Sequence, residues 1–323
     1  MRNYIYQPNR VTNASYNYTL LQEKIFNCVM FYLQAHIKQV MSGCEIYQLE
    51  LFKERNNEDI TVYIPISFIG KPTQYTEIRN AAKELISVIV SMRNPQKKTV
   101  KFSGLFSSVE MPEAGKRSSY LTITVHRDVA ELLVYIEKNE RGAPKNYTTF
   151  LFEVANNAKN KYTSRLYKYI SSWKEKGGFY ITIDELREWL QLDGIYTDYN
   201  DIKRRILMPV MEELKEKADV WFNCAVPEFE KKDGKKIIGL NFKVIAPDLI
   251  EIQEKLRNSI HYLLRTHFKL NNEQLDSIHH LLDGSVDFQE IQYKIVELND
   301  RIRSSDIGNV QAYVIKALLN MKK

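Results

Sequence analysis

Apolar residues recur three and four apart through TLLQEKIFNCVMFYLQA (19–35), where Leu21, Ile25, Cys28, Val29 and Tyr32 share one side. That spacing predicts a helix with one buried face. ITVYIPI (60–66) alternates and is β-branched, which predicts a strand. YTEIRNAAKELISVIVSM (75–92) returns to the helical period. TVKFSGLFSSVEM (99–111) and SSYLTITVH (118–126) then alternate around the polar, glycine-containing PEAGKR, which predicts a hairpin with a long loop.

The same order recurs further along. YTSRLYKYISSWKEK (162–176) carries Leu166, Tyr169, Ile170 and Trp173 at helical spacing, and Gly177-Gly178 stops it. FYI reads as a short strand. TIDELREWLQL reads as a helix with Thr182 as its cap and Glu185 three residues on, the capping-box pattern. TDYNDIKRRILMPVMEELKEK (197–217) predicts a longer helix. VWFNCAVPEFE and KKIIGLNFKVIA alternate around KKDG, whose Asp-Gly is a hairpin-turn signal. Between the halves, ERGAPKNYTTFLFEVANNAKNK (140–161) breaks at Gly142 and Pro144 and is expected to be helical after them. Beyond Pro247 four stretches, 249–268, 272–282, 288–298 and 309–321, keep a helical period with polar links.

One phrase is written twice: YTEIRNAAK at 75–83 and YNDIKRRIL at 199–207. Both copies fall on the same element of the repeated order, so duplication of one supersecondary unit is the simplest account. Helix, short strand, one or two helices and then a hairpin is the order of a winged helix-turn-helix. The predicted fold is therefore α+β. Two tandem winged-helix domains, residues 13–140 and 141–247, are related by internal duplication and followed by a C-terminal helical extension, 248–323.

Only the second copy of the phrase is loaded with Lys203, Arg204 and Arg205, following Tyr199 and Asn200. On that helix Ile202, Ile206, Leu207, Val210, Met211 and Leu214 fall on one face, and Arg204 and Arg205 lie away from it. Lys203 is nearer the apolar side but close to the helix start, where a long side chain can emerge past the core. Bases fill the first half of the helix and Glu212, Glu213 and Glu216 the second. A groove-reading helix presents its N-terminal half to bases and phosphates, and arginine can grip a guanine edge with two donors. The plainer account is a solvated face in which Asp201 and Arg205 pair four residues apart; position within a winged-helix order favours DNA. Pro209 lacks an N–H and crowds the carbonyl four residues back, so a kink or local break is expected.

Further bases stand where such a domain meets phosphates. Lys161, Thr163, Arg165 and Lys168 lie on the first helix of the second half, and Lys231, Lys232, Lys235 and Lys236 at its hairpin tip. The first half offers Lys97, Lys98 and Lys101 at the hairpin entry, Lys116 and Arg117 at its tip, and only Arg79 and Lys83 on the helix. A net charge of +6 over 323 residues fits a polyanionic partner, though many basic proteins bind none.

These residues resemble the iteron-type plasmid replication initiators, bacterial Rep proteins with two winged-helix domains. NYTLLQEKIFNCVM is similar to that family's opening helix. YTSRLYKYISSWKEKGGFYITIDELREWLQL followed by YNDIKRRILMPVMEEL is similar to its most recognisable stretch, mid-helix proline included. The resemblance covers roughly 13–246. It implies binding to repeated sites in double-stranded origin DNA and origin opening with a host initiator and replicative helicase. It also implies a monomer active at the repeats, and a homodimer, joined through the first domain, that represses the gene's own promoter. Lys203, Arg204 and Arg205 match its recognition-helix bases; Tyr162, Thr163, Arg165 and Tyr167 match its helix motif, with Leu166 and Tyr167 expected in the core. Residues after Pro247 depart from the pattern.

Little points to catalysis. Gly70-Lys71-Pro72-Thr73 lacks the glycine five residues earlier that a phosphate loop needs, since residue 65 is proline. His279-His280 has no metal-ligand spacing, His126 stands alone, and no His-x-His occurs of the kind a rolling-circle initiator uses. Cys28, Cys44 and Cys224 form no close pair, so no zinc site, disulfide framework or cofactor is expected. No apolar run approaches the about 20 residues that span a bilayer, and MRNYIYQPNRVTNAS lacks a secretory core, so a cytoplasmic protein is expected. Two other readings fit the pattern: a winged-helix transcription regulator without an initiation role, and a helicase-loader-type interaction protein working through its helical tail.

Overall fold

The computed structural model describes residues 3–49, 59–94, 98–112, 116, 119–282, 288–304 and 307–322. The chain forms two compact units, Met1–Ile245 and Ala246–Lys323.

The first unit opens with strand β1 (Tyr4–Pro8). Helix α1 (Leu20–Tyr32) starts at a capping box, in which Thr19 accepts from the Gln22 N–H and Gln22 answers the Thr19 N–H. Its Ile25, Phe26, Cys28, Val29 and Met30 are buried. After α2 (Gln34–Met41) come β2 (Ile60–Pro65), α3 (Ile66–Ile69) and α4 (Tyr75–Leu85). Four strands follow, β3 (Ile89–Asn94), β4 (Thr99–Gly104), β5 (Phe106–Glu110) and β6 (Tyr120–Val125), and then α5 (Arg127–Val134). Strand β6 lies between β2 and β5 in an antiparallel sheet.

The expected helix over 75–92 ends at Leu85, and Ile89–Asn94 is a strand instead. Ile, Val and Ser at 89–91 suit a strand once β4 is there to pair with, and β3 takes Thr99–Gly104 as its partner. The single hairpin expected around PEAGKR is thus two, β3–β4 and β5–β6. The stretch expected to be helical after Pro144 is also a strand, β7 (Tyr147–Leu151), followed by the short α6 (Phe152–Asn156). Its YTTFL is aromatic and β-branched, and it pairs antiparallel with β1 near the start of the chain.

The second winged helix repeats the arrangement. Asn160 caps α7 (Lys161–Ser171), and β8 (Gly178–Thr182) precedes α8 (Ile183–Leu190), which begins at the expected Thr182–Glu185 capping box. Gly178 is required where it stands, because a Cβ there would lie 2.2 Å from the Phe242 carbonyl oxygen. Helix α9 (Tyr199–Ile202) runs through a π-helical turn (Lys203–Leu207) into α10 (Met208–Lys217). Strands β9 (Trp221–Phe222), β10 (Glu230–Asp233) and β11 (Lys236–Ile245) complete the sheet, with β11 between β8 and the other two. Phe179, Phe222 and Phe229 all pack against Phe242, Phe179 stacked on it and Phe229 edge-on. In both domains the strand that enters the helix pair hydrogen-bonds to the last strand of the wing, and both copies of the repeated phrase start the helix that leads into the wing, at Tyr75 and Tyr199.

The second unit contains α11 (Pro247–Thr266), α12 (Asn272–Ser277), α13 (Phe288–Ser304) and α14 (Val310–Leu319), as the helical period predicts. Ile260, Leu264, Phe268, Ile291, Ile295, Leu298, Val314 and Leu318 form its own core. Among the described residues no helix is long and apolar enough to cross a membrane.

Candidate nucleic-acid interface

The repeated phrase supplies an internal control for the site. Its fourth residue, Ile78 or Ile202, is fully buried in both copies. Its fifth residue is a base that reaches the wing in both. Arg79 donates to the Pro112 carbonyl at 2.7 Å, and the Lys203 ammonium lies 2.7 Å from Glu230 Oε1 at the start of β10. The next two positions diverge: Asn80 and Ala81 in the first copy, Arg204 and Arg205 in the second. The Arg204 and Arg205 side chains are 72% and 56% exposed. Ile202, Ile206, Leu207, Val210, Met211 and Leu214 are all buried, as the helical period requires.

Pro209 explains the local shape of this helix. It cannot donate to the Arg205 carbonyl and its ring crowds that oxygen. The preceding turn widens, and the Met208 N–H donates to Lys203 O, five residues back. The resulting π turn contains Lys203, Arg204 and Arg205, so the kink expected at Pro209 is a broadened turn under the three bases.

A groove of about 680 Å³ lies between the start of this helix, α8 and the wing, lined by Asp184, Arg187, Tyr199, Asn200, Lys203, Glu230, Lys232, Lys235 and Lys236 among others. Asp198 caps α9 by accepting the Asn200 N–H, and it also accepts from the Asn200 side chain at 3.2 Å. The Tyr199 hydroxyl donates to Glu230 Oε1 at 2.9 Å. Burial and the Glu230 carboxylate push the Tyr199 hydroxyl pKa far up, so it stays a donor. Partial burial would raise the Glu230 carboxyl, but the Lys203 ammonium and Tyr199 hydroxyl outweigh it and hold it below the ordinary range. Asp201 is held low by hydrogen bonds from Arg204 and Arg205. The wing turns at Asp233-Gly234, where Gly234 has φ +58°, and this exposes Lys235 and Lys236. Lys231 lies over the Tyr180 ring at 5.1 Å, and Lys232 sits 3.8 Å from Glu230.

The expectation for the first helix of this domain is corrected. Thr163, Arg165 and Lys168 do not face solvent; Arg165 and Lys168 are buried where α7 packs on the first domain, and Thr163 is buried against α10. Thr163 donates to Glu213 at 2.8 Å. Arg165 is 4% exposed and donates to the carbonyls of Ala14, Tyr16 and Trp189, its guanidinium held between the Tyr16 and Trp189 rings. Lys168 pairs with Glu23 of α1 and donates to Asn27 at 3.0 Å, while Ser164 donates to the same Glu23 at 3.0 Å. Burial pulls the Lys168 ammonium pKa down, and Glu23 resists that shift. Leu166 and Tyr167 are in the core as expected, and Tyr167 accepts the Leu151 N–H and donates to Asp219. Lys161, at the helix start, is half-buried and donates to Asn17 at 2.7 Å. No local signal marks this burial, because the partners that bury the polar face, Ala14, Tyr16, Glu23 and Asn27, are more than 130 residues away in sequence.

The first-domain candidates are not gathered into the groove. Arg79 is half-buried on Pro112, whereas Lys83, Lys98 and Lys116 are exposed, Lys98 at the β3–β4 turn. Lys101 pairs with Asp128 at 3.1 Å. Lys97 and Arg117 lie outside the described residues. The Asp201–Arg205 pair expected from their spacing is present at 3.3 Å; sequence reasoning missed Arg204 as a second partner of Asp201, at 2.9 Å, and Glu230 as the partner of Lys203. Helical spacing of three and four marks the partners of Asp201, whereas an acid 27 residues beyond Lys203 carries no sign of which base it holds. Among the described residues no group of three potential metal ligands comes together.

The family model described as "Initiator Replication protein, WH1" matches residues 4–171, more than half the chain, and "Initiator Rep protein, WH2" matches 182–244. The chain belongs to the initiator Rep protein family. As an initiator Rep protein it is 28% identical over 151 residues to the PI protein of Escherichia coli, a match covering 42% of this chain and 46% of that one. The alignment thus spans less than half of that relative. The crystal structure of the Pi initiator protein in complex with iteron DNA matches 76% of this initiator Rep protein and 98% of that chain, with a TM-score of 0.52 at 17% identity. At that identity the likeness establishes the fold. The WH1 match takes in β1 and α7, the strand and the helix that tie the two domains together.

Proposed function

We propose that this initiator Rep protein binds repeated double-stranded sites, iterons, at a plasmid replication origin in the cytoplasm. The second winged helix, within 141–247, does most of the sequence reading, and the first, within 13–140, adds weaker DNA contacts. The observation that carries this is the exposure of Arg204 and Arg205 on a π turn directly after Lys203, which lines a groove whose other wall is the lysine-bearing wing. A helix start flanked by a cationic hairpin is the geometry a winged helix uses on a major groove and its adjacent phosphates. The Pi initiator protein was crystallised in complex with iteron DNA, which supports the same ligand class here.

From the family resemblance we also draw the division of states: monomers at the repeats, a homodimer joined through the first domain repressing the gene's promoter, and hand-over of the origin to a host initiator and helicase. The role is binding, with no catalytic step assigned. The test is a footprint of the purified protein on the DNA flanking its own gene. Protection of several direct repeats is expected; protection of one inverted repeat alone would favour a plain transcription regulator, and no protection would remove the proposal.

A further inference from the structure

Carboxylates stand within the basic face, Asp184, Asp198 and Glu230 in the groove lining and Asp201 beside Arg204 and Arg205, and each one weakens attraction to every duplex. Glu230 is accounted for by the scaffold: its side chain is 15% exposed and holds Lys203 and Tyr199. Asp201 is different. Its side chain is 37% exposed, and Arg204 Nη2 at 2.9 Å and Arg205 Nε at 3.3 Å both meet the same oxygen, Oδ1. Among the described residues none donates to Oδ2.

An acid in the first turn of a helix is ordinary, since it complements the helix dipole. The first copy of the phrase isolates that part of the explanation. Glu77 occupies the equivalent place there and accepts from Gln74 at 3.4 Å, while its neighbouring base is turned to Pro112. The dipole therefore accounts for the acid; the two arginines, replaced by Asn80 and Ala81 in the first copy, meet one of its oxygens at the i,i+3 and i,i+4 spacing of a helix face. That convergence removes charge from the DNA-facing surface and fixes both guanidinium groups relative to each other. It also leaves an anionic acceptor at the reading edge. In the major groove the donors an acceptor can meet are the cytosine N4 and adenine N6 amino groups, whereas guanine N7 and O6 and thymine O4 repel it.

We infer that Asp201 is a specificity-determining residue: it splints Arg204 and Arg205 into a fixed fork and presents Oδ2 to the exocyclic amino group of a cytosine or adenine. A duplex without that amino group is bound with an unpaired carboxylate against its edge. This rests on the DNA-binding reading above.

The test uses the full-length protein as wild type, Asp201→Ala and Asp201→Asn, with thermal melts to establish that each is folded. Affinity is measured on the footprinted repeat, on repeats with each base pair changed in turn, and on a random duplex of equal length. Asp201→Ala should bind the random duplex more tightly and lose about tenfold in the ratio of specific to random affinity, the discrimination of roughly one base pair. That loss should be concentrated at one position where the wild type prefers cytosine or adenine. Asp201→Asn, which keeps an acceptor, should recover part of the preference. A selective wild type whose ratio and base preferences are unchanged in Asp201→Ala overturns this inference alone. A wild type that binds all duplexes alike overturns the DNA-reading proposal and this inference with it.

Discussion

Single side chains divide the basic face into exposed bases and bases held by the scaffold. Lys203 looks from sequence like a reader, yet its ammonium is committed to Glu230, as Arg79 is to Pro112 in the other copy. Arg204 and Arg205 are the exposed pair. Lys235 and Lys236, at the exposed wing tip, have the position of phosphate contacts, which carry no sequence information. Lys235→Ala or Lys236→Ala should weaken all duplexes alike and reduce the salt slope by about one per lost contact; a change confined to the specific site would contradict that role. The Glu230 pairing has a pH signature. Its folded pKa lies below the ordinary 4.5, so the stability it contributes is complete above 4.5 and is lost as pH falls through the lower folded value. Melting temperature followed on the acid side of 4.5 should fall less steeply in Glu230→Gln than in wild type. Identical acid limbs would remove the assignment.

Between elements, the seam joining the winged helices is built by α7 against α1 and by β1 against β7. Glu23 and Lys168 are an ion pair with side chains 0% and 2% exposed, which makes it costly to break from one side only. Lys168→Met should destabilise the first unit by about 3–5 kcal/mol, and Glu23→Gln with Lys168→Met by less, because the stranded charge is gone. Denaturant unfolding measures both; equal losses would contradict a charge-based explanation. Much of this level was legible beforehand: the Thr182–Glu185 capping box, the Asp-Gly hairpin and the order of each winged helix follow from local chemistry. The misreadings share a cause. Residues 89–94 and 147–151 are strands because other strands pair with them, β4 in one case and the distant β1 in the other. Periodicity in a short window does not register such a partner. For the same reason the YTSRLYK helix reads as a basic surface until the first domain is placed over it.

For the whole molecule, the two units have separate cores, and the candidate interface belongs entirely to the first. The structural match to the Pi complex covers 76% of the chain. A chain ending at Ile245 should therefore still bind the footprinted repeats with an affinity close to that of the full chain. Loss of specific binding on truncation would show that residues 246–323 are part of the DNA-binding machinery. Host-protein docking by this second unit would instead appear as lost replication with binding retained.

Whether the exposed cationic turn of the second domain's long helix reads base edges is decided by binding of Arg204→Ala and Arg205→Ala to a footprinted repeat and to a random duplex, at one salt concentration. Each variant should lose about 1–3 kcal/mol on the repeat, and less on the random sequence. Two folded variants with wild-type affinity and selectivity would contradict a base-reading turn.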